Sequence, residues 1–166
     1  MIVEFGAGLL AAMWLSAAST KVRDRAGIER ALELVMGARS TVLAPIVLAL
    51  EFGLAAALTV PVGSVLAAAF AASSVVLAVL SVFAVAHERV APGQSCDCFG
   101  PGITTSISRH VIFNLGVALG AAALAGIATE SPNLTLRLVG LLVGLATAIV
   151  ALVLIPVLGD FRRSET

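Results

Sequence analysis

The sequence predicts an all-α integral membrane protein, because apolar residues dominate its composition and recur in runs of membrane-spanning length. Of the 166 residues, 60% are hydrophobic and only 12% are charged, which lies well outside the range of soluble globular proteins. A helix needs about 20 apolar residues to cross roughly 30 Å of hydrocarbon. Five runs approach that length, and we interpret residues 1–166 as one membrane domain. The five runs are 2–20, 42–60, 62–86, 110–128 and 134–158.

The connections between these runs predict how the helices are arranged. Only Val60-Pro61-Val62-Gly63-Ser64 links the second run to the third, so these two should form an antiparallel hairpin. We expect a four-helix antiparallel bundle from the first four runs, with the fifth packed against it. Small residues at four-residue spacing, Gly116/Gly120 and Gly140/Gly144, predict close helix approaches in lipid.

The first run is expected to be a retained helix. No Lys or Arg precedes it, and its apolar stretch is longer than the core of a usual signal peptide.

A short segment after the first run, residues 26–39, predicts an amphipathic helix. Apolar residues recur there at helical spacing, and charged residues lie between them. We expect this helix to lie along the membrane interface with its basic side toward lipid head groups, and a solvated loop is the alternative. The apolar set is Ile28, Leu32, Val35 and Met36, and the charged set is Glu29, Arg30 and Glu33.

Both cysteines of the chain lie in the long polar interval 87–109, within Ser95-Cys96-Asp97-Cys98-Phe99-Gly100. A thiolate is the nucleophile in disulfide exchange, and nearby cationic groups lower the pKa of a cysteine thiol. Arg89 and Arg109 flank the pair. A disulfide that encloses one residue is strained and removes little entropy from the unfolded chain, so it favours exchange over structural use. Cys96 and Cys98 are therefore predicted to be a redox pair.

The cysteine loop has two alternative interpretations besides redox exchange. A metal site would draw on the cysteines with Asp97, His87 or His110, but a second ligand pair at zinc-site spacing is missing, so no metal is assigned. Two unreactive thiols are the remaining alternative. His87 and His110 could assist proton transfer near neutral pH, although histidines at such boundaries are more often simply interfacial.

Polar residues inside the apolar runs form a second set of candidates. Glu51 lies near the middle of the second run, where a carboxyl group is costly and is by default a functional hypothesis. It could carry a proton, or form a structural hydrogen bond to a helix bearing Asn114 or Ser73/Ser74. Asn114 is expected to bridge helices through its amide. Lys21, at the end of the first run, is expected to snorkel to the interface, and pairing with an acidic group is its alternative.

The distribution of basic residues predicts an orientation. With the amino terminus outside, every Lys and Arg except Arg137 falls on the cytoplasmic side, which places the cysteine loop in the cytoplasm. In either orientation, alternate connections share a side. The basic segment after the first run and the cysteine loop should therefore be neighbours, with Lys21, Arg23 and Arg25 near the cysteines. Nothing in the composition suggests a nucleic-acid partner.

Several motifs together resemble the methylamine-utilisation MauE group of DoxX-like, redox-associated membrane proteins. The resemblance covers most of residues 6–128, and the C-x-C-F-G segment is its specific part. The motifs are Lys21, Glu51-Phe52-Gly53, Cys96-Asp97-Cys98-Phe99-Gly100, Ser108-Arg109-His110 and Asn114.

This resemblance implies a small helical bundle in the bacterial cytoplasmic (inner) membrane. Such a bundle works with a thioredoxin-like partner to form or isomerise disulfides of exported proteins, or supplies electrons for their maturation. Carried over, Cys96 and Cys98 become the redox pair, whereas Glu51, Arg109 and Asn114 match family positions without a transferable role. A partner outside the cytoplasm conflicts with the charge count, which places the cysteines inside.

Two function classes follow. The first is a membrane thiol–disulfide oxidoreductase or electron conduit, in which one cysteine forms a mixed disulfide with a partner and the other resolves it. Comparable bundles of the vitamin K epoxide reductase and DsbB groups pass electrons to a quinone through two cysteine pairs. This chain has one pair, so it would need direct quinone access, a partner with a second pair, or movement of the loop.

The alternative class is a non-catalytic membrane anchor or assembly subunit of a redox enzyme complex, with structural or metal-binding cysteines. Small-molecule transport around Glu51 has less support, because the chain lacks a second set of intramembrane polar residues. The sequence assigns no cofactor with certainty and leaves open whether a quinone binds and whether homo- or hetero-oligomers form. Besides a thioredoxin-like protein, membrane lipid is the partner that the sequence predicts.

Overall fold

The structure is a computed structural model that describes residues 2–92 and 107–128, with only the backbone of 107–110. Every regular element in these ranges is helical, which confirms the all-α prediction. A short 3-10 turn, Gly37–Arg39, joins two of the helices. The helices are α1 (Ile2–Arg23), α2 (Arg25–Met36), α3 (Ser40–Thr59), α4 (Gly63–Val90) and α5 (Ile107–Ile127).

Within the described ranges, three stretches of helix are long and apolar enough to cross a bilayer, and they contain α1, α3 and α4. They correspond to the predicted runs 2–20, 42–60 and 62–86. The fourth run, 110–128, corresponds to α5, whose apolar part Val111–Ile127 is shorter than a usual span. The fifth run, 134–158, lies outside the described residues. A four-helix DoxX-like bundle therefore stays a prediction, whereas the three spanning-length helices are observed.

The helices pack in neighbouring pairs around one apolar core. Helix α1 lies against α3, α4 lies against both α3 and α5, and α1 also touches α5. The connection between α3 and α4 is only Val60–Val62, as the predicted hairpin requires. Large buried side chains from α1, α3 and α4 meet in the core, including Trp14, Leu58, Phe70 and Leu77. Burial of such side chains holds the helices in register.

Helix α2 confirms the helix predicted within residues 26–39 and has a clear start and end. The side chain of Asp24 accepts a hydrogen bond from the backbone N–H of Gly27 at 2.9 Å, which caps the helix. A Cβ at Gly27 would collide with the Asp24 carboxylate, so the tight cap requires glycine there. The helix stops at Gly37, whose φ of 65° favours glycine. The alternative of a solvated loop is wrong.

Two contacts fix which helix ends lie together. Helix α2, between the end of α1 and the start of α3, packs against α4. Because the chain reverses direction at Val60–Val62, α2 meets the later part of α4. At the opposite end, Gly6 of α1 lies so close to Leu124 of α5 that a Cβ on Gly6 would collide with it. Helix α5 therefore ends beside the start of α1 and begins near α2. The helix ends flanking the cysteine segment thus lie on the α2 side, whereas the predicted neighbourhood of the cysteines themselves falls outside the described residues.

The predicted packing role of Gly116 and Gly120 is not seen. Both are exposed on α5, and a Cβ added to either would meet nothing within 4 Å. In the described part of the chain, Gly6 of α1 is closely packed, because an added Cβ would collide with Leu124. Residues Gly140 and Gly144 lie outside that part. Four-residue spacing identifies small residues on one face of a helix, but it does not predict whether another helix packs against that face.

Candidate functional site

A buried ion pair joins α1 to α3. The Lys21 Nζ donates a hydrogen bond to the Glu51 Oε1 at 2.5 Å, and the two residues are only 4% and 1% exposed. A lone charge among apolar helices is costly, and a partner of opposite sign within hydrogen-bond distance offsets part of that cost. The pair is therefore a buried polar contact inside the membrane-spanning part of the molecule.

This pair corrects two expectations. Lys21 does not snorkel to the interface, because a carboxylate on the neighbouring helix provides a buried partner. The hydrogen-bond partner of Glu51 is Lys21, and not Asn114 or Ser73/Ser74. The second carboxylate oxygen, Oε2, is buried and accepts no hydrogen bond from the described residues. Glu51 therefore has one free acceptor in the interior.

A second buried polar link joins α1 to α4. The Trp14 Nε1 donates a hydrogen bond to the Ser73 Oγ at 3.0 Å, and both side chains are fully buried. Sequence reasoning missed this link. The sequence feature that indicates such a link is the single Trp in the middle of an apolar helix, since a buried indole N–H usually finds an acceptor.

His87 and Asn114 are also buried, on α4 and α5. The side chain of His87 is 2% exposed, and its ring centroid lies 6.4 Å from that of Phe83. Among the described residues, neither the Nδ1 of His87 nor the Oδ1 of Asn114 has a hydrogen-bond partner. The Asn114 Oδ1 therefore forms no bridge to another helix in this part of the chain. Each of the four long helices contributes one of these buried polar residues: Lys21, Glu51, His87 and Asn114.

Glu4 is a further buried carboxyl group that sequence reasoning passed over. It lies in the first turn of α1 and is 3% exposed. The signal was the same as for Glu51, an isolated carboxyl group in an apolar run.

The predicted redox pair lies outside the described residues. Cys96 and Cys98 belong to the segment between α4 and α5, and Arg109 and His110 lie in the first turn of α5, where only the backbone is described. Arg89, near the end of α4, is exposed. Within the described ranges, no three His, Cys, Asp or Glu side chains come together in a group that could hold a metal ion.

Comparison with known proteins identifies the family. Residues 1–129 match the family described as methylamine utilisation protein MauE. The chain belongs to the MauE family. This match confirms the MauE part of the resemblance drawn from the motifs, and its residue range includes the five described helices together with the cysteine segment. Comparisons with curated proteins and with solved structures gave no match.

Family membership and the apolar helices agree on the class of protein. The MauE-family chain is a multi-pass membrane protein, and the part that the structure describes has three stretches of helix long enough to span. The family takes its description from methylamine utilisation. The region after residue 129, which contains the predicted fifth span, lies beyond the family match.

Proposed function

We propose that this MauE-family protein is a membrane thiol–disulfide oxidoreductase that uses Cys96 and Cys98 to exchange disulfides with a thioredoxin-like partner. The observation that carries the proposal is the spacing of the cysteines. Both cysteines of the chain occupy one Cys-x-Cys motif, in a polar segment between two apolar helices and inside the family match. A pair this close gains little as a structural crosslink and is suited to exchange.

The exchange needs one nucleophilic and one resolving thiol. The thiolate of one cysteine attacks the partner's disulfide, which forms a mixed disulfide and releases one partner thiolate. The second cysteine then attacks the mixed disulfide at this chain's sulfur, closing the Cys96–Cys98 disulfide and releasing the reduced partner. Two electrons and two protons pass to the partner, and the reverse sequence oxidises it. A partner with its own cysteine pair supplies the oxidising or reducing equivalents.

The fold supports this chemistry by what flanks the cysteine segment. The end of α4 and the start of α5 lie on the α2 side, and Arg89 is exposed at the end of α4. An exposed guanidinium near the segment favours the thiolate form of a nearby cysteine. Lys21 contributes less to such a field than its position in the sequence suggests, because its charge is paired with Glu51.

We also place the protein in the bacterial cytoplasmic membrane, where a partner can carry disulfide equivalents to exported proteins. The clients of such an exchange are disulfide-containing exported or redox proteins.

The test is to trap the mixed disulfide in cells. The single substitutions Cys96→Ser and Cys98→Ser remove one thiol each, and the double substitution is the blank. We expect one single variant to accumulate a covalent adduct that migrates slowly on a non-reducing gel and disappears on reduction. Mass spectrometry of the adduct identifies the partner and the bonded cysteine.

Ser95→Ala is the matched control, since it changes a neighbouring residue of the segment and keeps both thiols. It should show no more adduct than the unmodified chain. If neither single variant forms an adduct and the doubly substituted chain still supports maturation of its client, the oxidoreductase proposal is wrong. The protein is then an anchor or assembly subunit.

A further inference from the structure

The outward side of α2 combines cationic and apolar side chains. We define the α2 surface as six exposed residues on α2 and at its two ends. Its cationic members lie at both ends and in the middle of the helix, with apolar side chains beside them. They are Arg23, Arg30, Arg39, Val22, Leu34 and Met36.

The other charged groups near this surface are mostly engaged within the protein. The carboxylate of Asp24 caps α2, and the Nε of Arg25 donates to the Oε1 of Glu29 at 2.9 Å. The ammonium of Lys21 is buried with Glu51. Among the described residues, the three arginines of the α2 surface form no ion pair, so their guanidinium groups are available.

Two acidic side chains lie near enough to weaken the positive potential. Glu33 is exposed on α2 itself, and Glu88 is half-buried on α4, the helix against which α2 packs. Arg89, next to Glu88, is exposed and restores a positive charge on that helix. The net charge presented by the α2 surface and its surroundings is therefore positive.

The location of α2 decides what this surface meets. Helix α2 lies between the apolar helices α1 and α3 and packs against α3 and α4, with Leu32 buried. Its outward side therefore lies where the spanning segments end, at the depth of the lipid head groups. There a guanidinium reaches lipid phosphates, and exposed apolar side chains enter the acyl boundary.

We propose that the α2 surface binds anionic phospholipid head groups. Arg23, Arg30 and Arg39 contact the phosphates, while Val22, Leu34 and Met36 rest on the acyl chains. Charge complementarity favours an anionic over a zwitterionic head group. The exposed apolar side chains favour lipid over a water-soluble acidic protein, which would leave them in a polar environment. This binding does not depend on the proposed exchange chemistry of the cysteines.

The test measures lipid enrichment around the purified full-length chain. The protein is reconstituted in phosphatidylcholine containing phosphatidylglycerol, and native mass spectrometry measures which lipid stays bound. Each arginine near an anionic surface favours binding by about fivefold, before screening by salt and by Glu33. We expect the unmodified chain to enrich phosphatidylglycerol by at least about fivefold, with the enrichment falling as salt is raised.

Matched variants separate charge from folding. Arg23→Gln/Arg30→Gln/Arg39→Gln should lose the enrichment, and the corresponding triple change to Lys should keep most of it. Arg25→Gln/Glu29→Gln removes a pair at constant net charge and should leave the enrichment unchanged.

If the triple Gln variant fails to fold, the salt titration and the Lys variant still test the proposal. The proposal is overturned if the unmodified chain shows no enrichment, if salt does not reduce it, or if the folded Gln variant keeps it. Occupation of the surface by an acidic protein instead of lipid would overturn it equally.

Discussion

Among the described residues, helix α1 is joined to its neighbours by two buried polar links of different kinds. The link to α3 is ionic, between Lys21 and Glu51, and the link to α4 is neutral, between Trp14 and Ser73. Removing one partner of a buried ion pair leaves an uncompensated charge, whereas removing one partner of a neutral bond leaves only an unsatisfied dipole. The two links should therefore differ mainly in the stability that is lost when one partner is removed. Their contributions to stability should differ less when both partners are present.

The largest effect is expected from breaking the ionic link on one side. Lys21→Met leaves the Glu51 carboxylate buried without its cation and should lower the free energy of unfolding by about 3–5 kcal/mol. In Lys21→Met/Glu51→Leu neither charge of the pair remains, and the free energy of unfolding should return to the unmodified value or exceed it. Denaturant unfolding in detergent micelles measures both variants.

The exposed pair Arg25–Glu29 provides the control, since Arg25→Gln should cost no more than about 0.5 kcal/mol. A double variant as unstable as Lys21→Met would contradict the assignment of the loss to an uncompensated charge.

A smaller effect is expected from breaking the neutral link. Ser73→Ala leaves the Trp14 indole N–H buried without an acceptor and should cost about 1–3 kcal/mol. Ser81→Ala is the matched control on the same helix, because the buried Ser81 Oγ donates only to the Leu77 carbonyl of its own helix. Its loss should change stability by less than about 0.5 kcal/mol. If the same unfolding assay gives equal losses of stability in the two variants, the Trp14–Ser73 bond does not contribute as proposed.

The smallest effects separate a packed glycine from an open one. Gly53 of α3 is exposed with open space around it, so Gly53→Ala should stabilise the helix by about 0.5–1 kcal/mol. Gly6→Ala should lose most of that gain, because the new methyl group forces the Leu124 side chain to move. Thermal unfolding compares the two variants, and equal stabilisation of both would show that α1 and α5 do not approach closely at Gly6.

Much of the fold could be predicted from local sequence. The apolar runs predicted the positions of α1, α3 and α4, and helical spacing predicted α2. The position of Glu51 in an apolar run also predicted a buried carboxyl group. These features depend on residues close together in the chain, where composition and periodicity carry the information.

The partners of the buried groups could not be predicted. Lys21 lies at a helix end, where a lysine can either snorkel to the interface or pair with an acidic group. Which of the two occurs depends on which side of α3 faces Lys21. The bond from Trp14 to Ser73 joins residues 59 positions apart, so no local pattern reveals it. Likewise, Gly116 and Gly120 have the spacing of a packing motif, but the arrangement of the neighbouring helices leaves them exposed.

The proposed chemistry and the two buried links use different residues. The ionic and neutral links fix α1 to α3 and α4, whereas the cysteine motif lies between α4 and α5. Lys21→Met/Glu51→Leu should therefore fold with the same cysteine redox state as the unmodified chain, which separates the role of the scaffold from that of the thiols.

The proposed exchange is best tested by the redox state and sidedness of Cys96 and Cys98 in whole cells. Membrane-permeant and impermeant maleimides are applied before and after mild reduction, and the labelled cysteines are identified by mass spectrometry. We predict that labelling requires reduction, because the pair forms a disulfide in the cell, and the impermeant reagent then reports the face at which the partner docks. If both thiols react without reduction and oxidant does not change their labelling, Cys96 and Cys98 are not a redox pair.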